Sequence, residues 1–206
     1  MNLFLIGLQR VGSNYLEVIL NKNTEDLSFR GYLVEDGKII SKHCFPEDLE
    51  DLKNANIPQE GFLIVIRNPY MWLENMCTEE ETNEIHTDEN GCKTRNLVMM
   101  YKDFYTEWID FAKANNIQYV KYEDFLHRDK AEQTVKKIVD KIGRGKVKSN
   151  FKLHDEPIRC SMGFTKDDFD YECKETPSKL SKDDIGIVNS FLGLDFIETM
   201  GYEAIV

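Results

Sequence analysis

Residues 3–6 are apolar without interruption and stop at Gly7, after which the spacing changes: Leu16, Ile19 and Leu20 fall on one helical face between 13 and 21. A short apolar run, a glycine loop and then a 3.6-residue period are the opening of an α/β unit. Residues 32–35 and 38–42 flank Asp36-Gly37, a two-residue turn signal, and predict a hairpin or edge excursion. Pro46 followed by Glu47 and Asp48 has the chemistry of a helix first turn. Residues 61–66 form the most apolar run of the chain, between Pro58 and Pro69. They predict a strand buried on both faces, and therefore a parallel sheet covered by helices. A long helix is predicted over 94–114, with Leu97, Met100, Tyr101, Phe104, Trp108 and Phe111 along one side. A strand over 117–122 follows, then a helix with Val135, Ile138, Val139 and Ile142 inward that closes at Gly143. Ser181-x-x-Asp184 approximates a capping signal ahead of Ile185, Val188, Phe191 and Leu192, and a short last helix closes near Gly201.

Two stretches break the pattern. Residues 79–92 carry six carboxylates (Glu79, Glu80, Glu81, Glu84, Asp88, Glu89) with Ile85 as the only aliphatic residue. They read as a solvated loop, with a lid over an acceptor as the lesser alternative. Residues 144–180 hold no sustained period and form a second, irregular excursion. With no internal repeat, the chain is expected to be a single α/β domain over 1–206, three layers deep (α/β/α), around a central, mainly parallel sheet.

Charge narrows the partners. The 206 residues carry 26 Lys+Arg against 37 Asp+Glu, a net charge of −11, although 130–152 alone holds eight basic residues and two acidic ones. That balance disfavours nucleic acid and anionic membrane as partners, because both require a basic face, but it leaves room for a local anion site. No apolar run approaches the ~18 residues a spanning helix needs. The five cysteines (44, 77, 92, 160, 173) are odd in number, contain no C-x-x-C pair and have no histidine at ligand spacing. A reduced, cytoplasmic chain without a metal site is the expectation.

The candidate chemistry begins at the glycine loop. Residues 7–14, Gly-Leu-Gln-Arg-Val-Gly-Ser-Asn, have the G-x-x-x-x-G spacing of a phosphate-binding loop between a predicted strand and a predicted helix. The two residues that make such a loop an NTPase are missing: Ser13 stands at the Lys position and Asn14 at the Mg²⁺-binding Ser/Thr position. Three further polar motifs fall where strand regions end: Ser41-Lys42-His43-Cys44-Phe45-Pro46, Arg67-Asn68-Pro69 and Tyr122-Glu123-Asp124. In an open α/β sheet, ligands bind beyond the carboxyl ends of the strands, so all four motifs should meet on one rim.

In this order the motifs resemble the sulfotransferases that use 3′-phosphoadenosine 5′-phosphosulfate (PAPS), from residue 3 to about 124 and again from 180 to 203. The resemblance implies a P-loop NTPase-like fold, PAPS as donor and 3′,5′-ADP (PAP) as product. It implies that Arg10, Gly12, Ser13 and Asn14 hold the 5′-phosphosulfate, with Val11 and Tyr15 also in the cofactor site. Arg67 and Asn75 would bind the 3′-phosphate, Tyr122 would lie near the adenine, and His43 would be the general base with Lys42 and Arg10 assisting. Asn75 stands where the family has Ser, and Lys42 is adjacent to the histidine instead of two residues before it. The family's late Arg-Lys-Gly loop has only the weak matches 144–146 and 159–166. Cys160 and Cys173 resemble cysteines that bracket that loop in secreted members.

Sulfuryl transfer of this kind needs no metal: a carbohydrate or small-molecule hydroxyl attacks in line, one proton is taken and one departing phosphate is stabilised. Plainer readings stand beside these. Arg67 could pair with Glu74 or Glu123, Tyr122 could be core, and Trp72 and Trp108 read as packing. The rival functions are a kinase-type phosphotransferase and a catalytically silent nucleotide-binding or adaptor protein.

Overall fold

The computed structural model describes residues 1–35, 38–46, 61–77, 93–153, 177 and 180–205. Its centre is a four-stranded sheet, all parallel, in the order β3-β1-β6-β7. The strands are β1 (Asn2–Ile6), β3 (Ser28–Arg30), β6 (Phe62–Ile66) and β7 (Gln118–Lys121). Successive residues of a strand face opposite ways. Leu3 to Ile6 and Leu63 to Ile66 are nevertheless all buried, so both faces of the sheet are covered. The molecule is thus α/β, and its layering is consistent with α/β/α.

Helix α1 (Ser13–Asn23) returns the chain from β1 to β3 on one side, and β6 and β7 then add on the other. The direction of the winding reverses at β1, so the loop after β1 opens onto the crevice where α/β sheets bind ligands. Helix α2 (Pro69–Cys77) follows β6 directly, and α3 (Lys93–Asn115) packs beside it. The inward side of α3 carries an aromatic stretch between aliphatic ends: Tyr101, Phe104, Tyr105 and Trp108 are fully buried, with ring centroids 4.6 to 6.4 Å apart in tilted or edge-on arrangements, and Leu97, Val98, Ile109 and Ala112 are buried on either side. Helix α4 (Arg128–Ile142) buries Ala131, Val135, Ile138 and Val139 and stops at Gly143, whose φ of 67° no branched residue would accept. Helices α5 (Lys182–Leu192) and α6 (Leu194–Thr199) meet at Gly193.

Several sequence expectations need adjustment. The second strand of the main sheet is Ser28–Arg30, which no apolar run announces. The pair predicted around Asp36-Gly37 does form, as the antiparallel two-stranded sheet of β4 (Tyr32–Glu35) against β5 (Lys38–Ser41), separate from the main sheet. The irregular stretch after 143 opens with β8 (Lys146–Val147), which pairs antiparallel with β2 (Thr24–Glu25). Asn23 secures this junction: its amide donates to Ile19 O and Lys152 O and accepts from Lys152 N. The predicted helix turn at 47–48, the acidic loop 79–92, residues 159–166 and both Cys160 and Cys173 lie outside the described residues.

Candidate functional site

The carboxyl ends of β1, β6 and β7 and the end of the β4–β5 hairpin come together on one rim. Gly7 is the hub. Its N–H donates to Lys42 O at 2.9 Å, and its carbonyl lies 2.6 Å from His43 Nδ1. A carbonyl only accepts, so Nδ1 carries the hydrogen and the neutral ring presents its lone pair at Nε2. Burial, with help from the Lys42 charge and against the pull of the Gly7 hydrogen bond, lowers the His43 pKa below 6.5. The imidazole is therefore neutral at pH 7.

The loop itself is contorted where the sequence permits it. Arg10 (φ 64°) and Gly12 (φ 85°) both take left-handed backbone, and Gly12 N-caps α1 without a side-chain hydrogen bond. The first bond inside the helix is Leu16 N–H to Gly12 O, 3.1 Å, and its first turn holds no acid. An α1 start of this kind offers backbone N–H groups and a positive dipole end to an anion. Gly12 is needed for a second reason: a Cβ there would overlap the ring of Tyr122. Val11 is fully buried behind the loop, and Ser13 is buried at the first helical position.

Two cations approach the loop. Lys42 Nζ donates to Asn14 Oδ1, so an ammonium arrives at the start of α1 from the hairpin end instead of from within the loop. Glu17, one turn further along α1, lies on the same side: its Oε2 and Lys42 Nζ both stand within 3.4 Å of the position a Gly31 Cβ would take. Burial raises the Glu17 pKa, against the lowering pull of Lys42, the Gly31 N–H and Arg30.

Arg67 follows β6 and is only 4% exposed. Its Nη1 donates to Arg10 O at 3.0 Å, and its guanidinium carbon sits 4.5 Å above the Tyr122 ring. Its Nε, fully buried, has no hydrogen-bond partner among the described residues. Such a donor is costly unless something accepts from it. Tyr122 therefore packs against Gly12 on one contact and Arg67 on another, and its ring meets that of Tyr15 edge-on at 6.0 Å. Asn75 is placed differently: its Nδ2 donates to Met71 O, 2.9 Å, within its own helix.

The groups that brace this rim read in the sequence as packing residues or, for Glu123, as a possible partner of Arg67; their hydrogen bonds to the motif backbone were not foreseen. Tyr105 Oη donates to Val65 O (2.8 Å), Tyr101 Oη to Arg67 O, Trp108 Nε1 to Cys44 O (2.9 Å) and Trp72 Nε1 to Gln9 O (2.7 Å). The two tryptophans are packed, as expected, and each also uses its one polar atom on a motif backbone. Glu123 turns to Asn68 N–H and the Tyr202 hydroxyl, each 2.8 Å away. The available signal was aromatic residues with polar tips at helical spacing, 101, 105 and 108, opposite a polar strand end.

The chain matches no protein-family model, no curated protein and no solved structure. Among the described residues, no helix is long and apolar enough to cross a membrane, and no cluster of three His, Cys, Asp or Glu could hold a metal ion.

Proposed function

We propose that this chain is a PAPS-dependent sulfotransferase of the P-loop-like sulfotransferase fold, acting on the hydroxyl of a carbohydrate or small molecule in the cytoplasm. The observation that carries the reading is Arg67: a guanidinium buried beside the glycine loop with its Nε unanswered fits a phosphate acceptor, which it can grip bidentately. The start of α1, Arg10 and Lys42 would face the 5′-phosphosulfate, and Tyr122 and Tyr15 the base. In the transfer, the acceptor oxygen bonds to sulfur as the bond from sulfur to the 5′-phosphate oxygen breaks. His43 Nε2 takes the hydroxyl proton, and the loop N–H groups and Lys42 receive the charge that develops on the departing phosphate. The surplus acid of the chain is against a long polyanionic acceptor.

Titration calorimetry with 3′,5′-ADP against ATP·Mg²⁺ tests this. Binding of the first in preference to the second is expected, and no 3′,5′-ADP binding overturns the reading. A preference for ATP·Mg²⁺ would favour the phosphotransferase. The silent nucleotide-binding alternative draws on Asn75, whose amide serves its own helix. It predicts 3′,5′-ADP binding with no transfer from labelled PAPS to any acceptor, whereas the sulfotransferase reading predicts transfer that His43→Ala removes while sparing binding.

A further inference from the structure

The peptide group joining Arg67 to Asn68 is held at both of its polar atoms by side chains from elsewhere in the chain. Its carbonyl accepts the Tyr101 hydroxyl from α3. Its N–H donates to Glu123 Oε1, 2.8 Å, from the 3-10 turn Tyr122–Phe125 that follows β7. The other carboxylate oxygen accepts the Tyr202 hydroxyl at 2.8 Å, so one side chain joins the ends of β6 and β7 to the C-terminal segment. That segment is itself held: Lys121 Nζ donates to Gly201 O and lies 4.5 Å from the centre of the Tyr202 ring.

The Glu123 bond answers the N–H of the α2 cap residue itself, a task that a helix's own third residue performs in a capping box and that here comes from another element. Helix α2 is already served by Asn68, whose Oδ1 accepts from Tyr70 N at 3.0 Å and Met71 N at 3.4 Å. What the two grips do fix is the plane of the 67–68 peptide, and with it the direction in which the Arg67 side chain leaves the backbone. An arginine has many rotamers to lose, so an anchored backbone lowers the cost of presenting its fork in one orientation.

We propose that Glu123 is a positioning residue for Arg67, orienting its guanidinium toward the phosphate it grips, with Tyr101 acting on the same peptide from the other side. This rests on the reading of Arg67 as the 3′-phosphate ligand. The test is the ratio of 3′,5′-ADP to 5′-AMP affinity, which isolates the 3′-phosphate, measured by calorimetry on the full chain. The wild-type protein should prefer 3′,5′-ADP, and Arg67→Ala should remove the preference. Glu123→Met, similar in size but without an acceptor, should lower the ratio about tenfold and leave 5′-AMP affinity unchanged. Glu123→Gln, which keeps an oxygen for Asn68 N–H, should restore most of it. Tyr101→Phe should lower the ratio as Glu123→Met does, and it carries the test if Glu123→Met does not fold. If Arg67→Ala loses the preference while the folded Glu123→Met or Tyr101→Phe protein keeps it, or loses affinity for both nucleotides alike, the positioning role is wrong and the nucleotide reading stands. If the wild-type protein shows no preference, or Arg67→Ala retains it, the nucleotide reading fails and the positioning role with it.

Discussion

Helices α1 and α5 are both eleven residues long and begin in opposite ways. At α5, Ser181 accepts the Asp184 N–H while the Asp184 carboxylate accepts the Ser181 N–H, and Asp183 adds a second acid to the first turn. The chain's own carboxylates complement that dipole. At α1, the cap is a glycine with no side chain to offer, the first turn has no acid, and two cations reach it from other elements, Lys42 on Asn14 and Arg67 on Arg10 O, with the Glu17 carboxylate on the Lys42 side one turn along. One helix start is closed by protein, whereas the other is reached by positive charge that an anion would complement. The candidate rim thus differs from the α5 start by a stabilising device present at one helix and withheld from another of the same length.

Giving α1 the cap that α5 has is the strongest way to break this comparison. Were Gly12 merely a weak cap, Gly12→Ser would stabilise the protein. The φ of 85° and the overlap with Tyr122 predict instead a loss of about 2–4 kcal/mol in chemical denaturation, because strain and displacement of a packed ring outweigh one hydrogen bond. Arg67→Ala comes next. Affinity for 3′,5′-ADP should fall by at least about 10²-fold in calorimetry, the cost of a charged fork lost from a desolvated site. On the other side of the comparison, Ser181→Ala should cost about 1 kcal/mol and leave nucleotide binding untouched.

The smallest effects are in pH. Burial tends to raise the Asp184 pKa, but hydrogen bonds from the Ser181 hydroxyl, Thr94 and the Ser181 N–H outweigh it and hold the carboxyl below 3.8. The stability this gives is present above that value and is lost as pH falls through the folded pKa. The His43 pKa is also lowered by folding. Above 6.5 the ring is neutral in both states, and as pH falls below 6.5 the unfolded chain takes the proton first, so stability declines through that window. Melting curves from pH 8 to 5 should show this decline in the wild-type protein and a shallower one in His43→Gln; equal slopes would place the titrating group elsewhere.

What the sequence made legible follows from locality. The strands β1 and β6 are uninterrupted apolar runs, and α3 and α4 carry their period on their surface, so each is readable from a window of its own residues. Ser28–Arg30 is not: it has one buried side chain, Phe29, and it is a strand because Asn2 to Phe4 lie beside it. The two-residue β8 depends in the same way on Thr24 and Glu25. At the site, glycine spacing and polar residues at strand ends indicated which segments gather on the rim. Which atoms meet was hidden, because hydrogen bonds such as Tyr101 to Arg67 O or Glu123 to Asn68 N–H join residues 34 and 55 positions apart. His43 shows the limit: the motif was visible, but its place against Gly7 depends on how the hairpin returns to β1.

That return has a use in engineering. Lys42 N–H bonds to Gly31 O at 3.0 Å, and Lys42 O bonds to Gly7 N–H at 2.9 Å, so the chain returns from the hairpin to the body through a hydrogen-bonded doorway at Lys42. The register of β4 on β5 puts Glu35 and Lys38 at the end of the hairpin away from these bonds. A reporter peptide or a foreign loop spliced between these two residues would travel with the hairpin, while the atoms of the rim stay anchored on the near side of the doorway.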